Sequence, residues 1–140
     1  MQINQNRSRK AGFSLVELTI VVVILGVLAT FAVPRFMASV ERSKAAEAFN
    51  YLTQIQTAQQ TYNARTGRYA SKVKDLDVTL QAPKYFKVSG PTSSNWEKNW
   101  KMTLTRNGSS SGYGKYTVIW TQDGFDSRKS SIPRDLRPTN

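Results

Sequence analysis

The sequence predicts an α+β fold: one long N-terminal α-helix, half transmembrane and half amphipathic, with a small antiparallel β-sheet laid on its C-terminal half. Three observations predict it. An apolar run from Phe13 to Val33 contains a single charge, Glu17; a helical periodicity continues from Phe36 to Tyr62; and three short stretches rich in β-branched and aromatic residues follow.

The apolar run is long enough for the ~20 helical residues that a bilayer requires. It follows a polar leader, 1–12, in which Arg7, Arg9 and Lys10 meet no acid. Such a leader holds the N-terminus in the cytoplasm and sends the remainder outward. A secretory signal peptide would close on small residues at a cleavage site, whereas this run passes into Pro34-Arg35-Phe36-Met37 and more helical pattern. The segment therefore reads as retained, which leaves an ordinary signal anchor as the plain alternative.

Glu17 does not suit an ordinary anchor, because a carboxylate there costs ~2.5–3.5 kcal/mol on insertion scales if it stays near the helix centre and ionised. It needs a positive partner. A cut after Gly12 would create one, since Phe13 would then carry a new α-amino group about one helical turn away. In an assembly, that amine and a neighbour's Glu17 could neutralise each other among apolar helices.

The stretch Lys10-Ala11-Gly12-Phe13-Ser14-Leu15-Val16-Glu17-Leu18 resembles the class III signal of type IV pilins and pseudopilins. That resemblance implies cleavage between Gly12 and Phe13 by a prepilin peptidase, N-methylation of Phe13, and an assembly role for Glu17. Gly26 and Pro34 match positions where the family has a helix-weakening glycine and a kink-forming proline. The implied protein is a structural subunit of a type IV pilus, a helical homo-oligomer built by a pilus or secretion assembly machinery. It would be stored in the bacterial inner membrane as a single-pass chain and then extruded. A major pseudopilin of a type II secretion system, forming a periplasmic pseudopilus, and a DNA-binding minor pilin are the alternatives.

Beyond the span, Phe36, Val40, Ala45, Ala48, Phe49, Leu52, Ile55, Ala58 and Tyr62 recur at helical spacing, with Arg42, Lys44, Glu47, Gln54, Gln56 and Gln60 between them. The organisation expected is a leader over 1–12, a membrane or filament-core helix over 13–34, an amphipathic helix over 35–67, and a β head over 68–140. Within the head, Tyr69 and Leu76 should pack on the helix. Strands are expected at Lys84–Val88, Trp100–Thr105 and Tyr116–Trp120, with a flexible hairpin connection over 107–114. Trp100, Met102 and Leu104 should face inward together with Tyr116, Val118 and Trp120. The tail from Asp126, which holds Pro133 and Pro138 and little apolar content, reads as a surface segment.

The chain has no cysteine and no histidine. Many type IV pilins close the C-terminal region with a disulfide, which is impossible here, and in this respect the chain resembles the major pseudopilins, which often use calcium instead. Asp123-Gly124-Phe125-Asp126 offers two carboxylates where calcium takes six to eight oxygens. A turn with an aspartate at each end is the simpler reading, and no metal site or cofactor is assigned. Without an imidazole, a thiol, a glycine-rich phosphate loop or a compact pair of carboxylates, nothing points to an enzyme. The balance of 20 Lys+Arg against 9 Asp+Glu leaves a net charge of +11, which favours polyanions. Lys84, Lys87, Lys98, Lys101, Arg106 and Lys115 beside Tyr85, Trp96 and Tyr113 could bind nucleic acid by charge and stacking. A solvated basic surface explains the same residues.

Overall fold

The computed structural model describes residues 12–108 and 112–138. Helix α1 spans Leu15–Thr66 and is followed by four strands: β1 at Phe86–Val88, β2 at Lys101–Arg106, β3 at Thr117–Thr121 and β4 at Gly124–Phe125. The leader's Arg7, Arg9 and Lys10, and the central serines of the β2–β3 connection, lie outside the described residues. The chain divides between Phe36 and Met37 into two compact units.

The first unit is the apolar start of α1. Its large apolar side chains are all exposed, from 49% at Val33 to 78% at Leu15. Soluble monomers rarely leave a contiguous apolar surface of this kind uncovered, so it calls for lipid or packed partners. α1 is the one helix among the described residues that is long and apolar enough to cross a membrane. Gly26 and Pro34 both lie inside it, and a Cβ added at Gly26 would meet nothing within 4 Å. Nothing in its own chain therefore requires a glycine there.

The second unit is built on one face of the rest of α1. Ala45, Ala48, Leu52 and Ile55 are fully buried at spacings of three and four, the period that keeps side chains on one helical face. Burying Leu52 or Ile55 completely stabilises the fold by about 1.5–3 kcal/mol each. The helix stops at Thr66, where Gly67 takes a positive φ of 75° and donates its N–H to the Asn63 carbonyl at 2.8 Å, a conformation that costs glycine little.

The sheet is an antiparallel meander in the order β1-β2-β3-β4. Its register sets Met102 opposite Trp120 and Leu104 opposite Val118. All six side chains expected to face inward are buried, as is Leu76, and Tyr69 packs against the core. Each predicted strand is present but shortened or shifted at its ends. Trp100 and Tyr116, for example, lie one residue outside β2 and β3.

Four expectations need correction. Asp123-Gly124-Phe125-Asp126 is more than a turn, since Trp120 pairs with Phe125 and Thr121 with Gly124 to form β4. Gly124 has φ 106°, so glycine permits this tight reversal. The tail is not a surface segment: Ile132 and Leu136 enter the core, Ser131 and Ile132 donate their N–H groups to the Thr117 carbonyl, and Ser130 Oγ accepts the N–H of Ile119. Gln56 is not simply a polar outer residue, because its side chain accepts from the Trp120 indole at 2.9 Å and donates to the Gln122 carbonyl at 3.0 Å. Phe36, placed on the packing stripe by periodicity, is 71% exposed and belongs to the first unit.

Candidate processing and assembly site

Gly12, Phe13 and Ser14 precede the first turn of α1 and are exposed, with Phe13 88% accessible. Ser14 is positioned as the N-cap. Its Oγ accepts the N–H of Val16 at 3.3 Å, and Glu17 Oε2 reaches back to accept the N–H of Ser14 at 3.1 Å. This reciprocal pair is a capping box, in which two of the orphan N–H groups at a helix start are satisfied by side chains. The carboxylate also lies at the positive end of the helix dipole. The expectation of an intermolecular partner overlooked this local one. The signal was present in the sequence as Ser14-x-x-Glu17 directly before an apolar run.

In the head, the sheet is tied to α1 by a buried charged cluster. Glu41, fully buried, receives Arg106 Nε at 2.6 Å and Arg106 Nη2 at 3.2 Å, a two-pronged pair, and its Oε1 also accepts the Tyr116 hydroxyl at 2.9 Å. Lys44 Nζ lies 3.5 Å from the same carboxylate. Arg106 Nη1 donates to the carbonyls of Tyr85 and Asn107. Burial alone would raise the Glu41 carboxyl, but the hydrogen bonds from Arg106 and Tyr116, with the charges of Arg106 and Lys44, together hold it below its ordinary value. The phenol of Tyr116 is pushed up, first by burial and then by Glu41, and so remains a proton donor.

This geometry removes Arg106 from the proposed nucleic-acid set, since it is 4% exposed and fully engaged by Glu41. Tyr85 is half-buried and flanked by Lys44, Lys84 and Arg106 at 5.1, 5.7 and 5.5 Å from its ring centre. Lys84, Lys87, Lys98, Lys101 and Lys115 are exposed. At the β4 hairpin, Asp126 accepts the N–H groups of Arg128 and Lys129, and Asp123 accepts from the Gln122 amide. Both carboxylates thus serve turn geometry, and among the described residues no group of three potential metal ligands forms.

A fragment from Arg35 onward, free of the apolar span, is expected to be soluble and monomeric, with a stability that falls in acid. Glu41 has a lowered pKa in the folded state, so its contribution is complete above the ordinary value of 4.5 and disappears as pH falls through the folded value. Thermal melts followed by circular dichroism from pH 7 to pH 3 check this. A melting temperature that declines equally in Glu41→Gln would remove Glu41 from the acid response.

Comparison with known proteins bears on the N-terminal segment first. Residues 7–33 match the family described as the prokaryotic N-terminal methylation motif. The chain is 37% identical over 76 residues to the type IV major pilin protein PilA of Myxococcus xanthus, covering 54% of this chain and 34% of that protein. It is 31% identical over 93 residues to the type II secretion system core protein G of Pseudomonas aeruginosa, covering 66% and 63%. The Aeromonas hydrophila core protein G is 31% identical over 77 residues, covering 55% and 54%. The matches thus span between about a third and just under two thirds of these curated relatives.

Proposed function

We propose that this chain, a homologue of type IV pilins and of type II secretion core protein G with a prokaryotic N-terminal methylation motif, is a structural subunit of a type IV pilus. The observation that supports this most is the fully exposed apolar start of α1, which opens on the motif and ends where the head begins. Its work is packing: the apolar helices form the filament core and the heads tile its outside. Before assembly the same helix anchors the chain in the inner membrane, with the leader in the cytoplasm. The partners are other copies of this chain, a prepilin peptidase and an assembly machinery.

Processing belongs to the same proposal. The Gly12–Phe13 peptide is exposed and non-helical, the condition under which a backbone is accessible to a peptidase. Cleavage there leaves the amine of Phe13 beside Ser14 and Glu17. Gly26, with no neighbour of its own to accommodate, suits either close approach of another helix or local loss of helicity in the filament. Pro34 supplies a second soft point by removing one backbone hydrogen bond. Mass spectrometry of membrane or filament fractions should find a chain that begins at methylated Phe13. Recovery of only the uncut chain, in cells with an active prepilin peptidase, would contradict this.

A second reading, a major pseudopilin of a type II secretion system, is favoured by one specific observation. The Pseudomonas aeruginosa core protein G match takes in 66% of this chain, against 54% for the pilin. Antibody labelling separates the two: surface filaments carrying this chain support the pilus. Loss of protein export on deletion, with no surface filament, supports the pseudopilus.

A further inference from the structure

A cleft of about 520 Å³ lies between α1 and the C-terminal segment of the head, where Arg42, Arg134 and Arg137 surround an apolar floor of Ala46, Phe49 and Leu136. Among the described residues, none of these three guanidiniums has a carboxylate within 4.0 Å. Two are aimed by one nitrogen each: Arg42 Nε donates to the Asp135 carbonyl at 2.9 Å and Arg137 Nε to the Ile132 carbonyl at 3.2 Å. One carboxylate shares the lining, Asp135, which accepts the Tyr113 hydroxyl, whereas Glu41 is taken by Arg106 and Tyr116. Three guanidiniums against one carboxylate leave the site net positive over its apolar floor. Planar guanidiniums suit a phosphate, which they can bind through two parallel hydrogen bonds.

Position along the chain selects the occupant. Arg42 follows Phe36, the last residue of the apolar unit, by six positions, so covalent connection alone keeps it within about 20 Å of that residue. We infer that the cleft docks the phosphate of anionic phospholipid headgroups while the subunit is held in the membrane. This rests on the membrane-stored form proposed above. The three arginines draw the headgroup, and Phe49 and Leu136 accept the glycerol and upper acyl carbons beneath it. Release on extraction into a filament would then free the cleft.

The test uses the full chain reconstituted into vesicles of equal phosphatidylglycerol and phosphatidylcholine, two lipids that share the phosphate and differ in net charge. Carbonate extraction first establishes integration. A chain that does not integrate overturns the membrane-stored form, and this inference with it. For the integrated chain, native mass spectrometry after extraction into neutral detergent should show phosphatidylglycerol retained at least about fivefold over phosphatidylcholine, the order expected from one basic residue at an anionic surface. Arg134→Gln, which removes no side-chain hydrogen bond seen here, should cut that ratio, and adding Arg42→Gln should bring it near unity. Arg128→Gln, outside the cleft, should keep it. Circular dichroism verifies that each variant is folded. An integrated wild type with no lipid preference, or a preference kept by the Arg42→Gln/Arg134→Gln variant, overturns the inference alone. So does displacement of the lipid by millimolar inorganic phosphate, or crosslinking of residue 134 to a second copy in place of lipid retention.

Discussion

Glu41→Ala is expected to cost the head about 3–5 kcal/mol, because it leaves the Arg106 guanidinium buried without its counter-charge. For a unit of this size that is a fall of more than about 10 °C in melting temperature, enough to leave the fragment from Arg35 onward marginal at physiological temperature. The cost comes from desolvation: the pair was buried together, and removing one member strands the other. Two companion variants test this account. Tyr116→Phe removes one hydrogen bond to Glu41 and should cost only about 1–2 kcal/mol. Glu41→Leu with Arg106→Met removes both charges at similar volume and should recover most of the loss. Urea titration of the four proteins decides it. A Glu41→Ala loss below about 1 kcal/mol, or a double variant no better than the single, would show that the pair does not hold the sheet to α1.

Glu41 and Arg106 stand far apart along the chain, and each resembles one of many solvated charges in a protein of net charge +11. A signal did exist for Glu41. It lies four residues before Ala45, and Gln59 lies four after Ile55, so both fall in phase with the buried stripe. Gln59 holds its buried place by exchanging two hydrogen bonds with the Ala70 backbone, at 2.8 and 2.9 Å. A polar residue in phase with an apolar stripe should therefore be read as a candidate partner for a distant group. The sheet was easier to read, since large apolar residues alternate along β2 and β3 with nothing else to do. The docked tail was harder, because its few apolar anchors, Ile132 and Leu136 among them, are scattered among prolines, arginines and serines. β4 was invisible because a strand of two residues has no periodicity. For the N-terminal segment, the run of apolar residues and its lone acid were legible at once. The local cap on Glu17 went unread, although Ser14-x-x-Glu17 before the apolar run carries its signal.

That cap makes Glu17→Gln the sharper test of assembly, and this variant is expected to abolish or sharply reduce filaments while leaving insertion, cleavage after Gly12 and the head unchanged. Alanine would remove both the capping-box partner and the charge, so a defect could come from a frayed first turn. Glutamine keeps an acceptor for the Ser14 N–H and is itself favoured at this position of a capping box. It also lowers the cost of placing the segment in lipid, since the carboxylate is gone. What it cannot do is neutralise a cationic amine. In the proposed filament the methylated amine of Phe13 is enclosed by apolar helices, and a buried positive charge with only a neutral partner is strongly unfavourable. The carboxylate must therefore exchange the Ser14 N–H of its own chain, or share it, with the amine of a neighbour, and that exchange fixes the axial register between helices. Electron microscopy of a strain with no other major subunit, alongside mass spectrometry of the processed N-terminus, separates assembly from processing. Filaments of normal number and length from Glu17→Gln would show that the acid acts only as a helix cap and that the subunits find their register by other contacts.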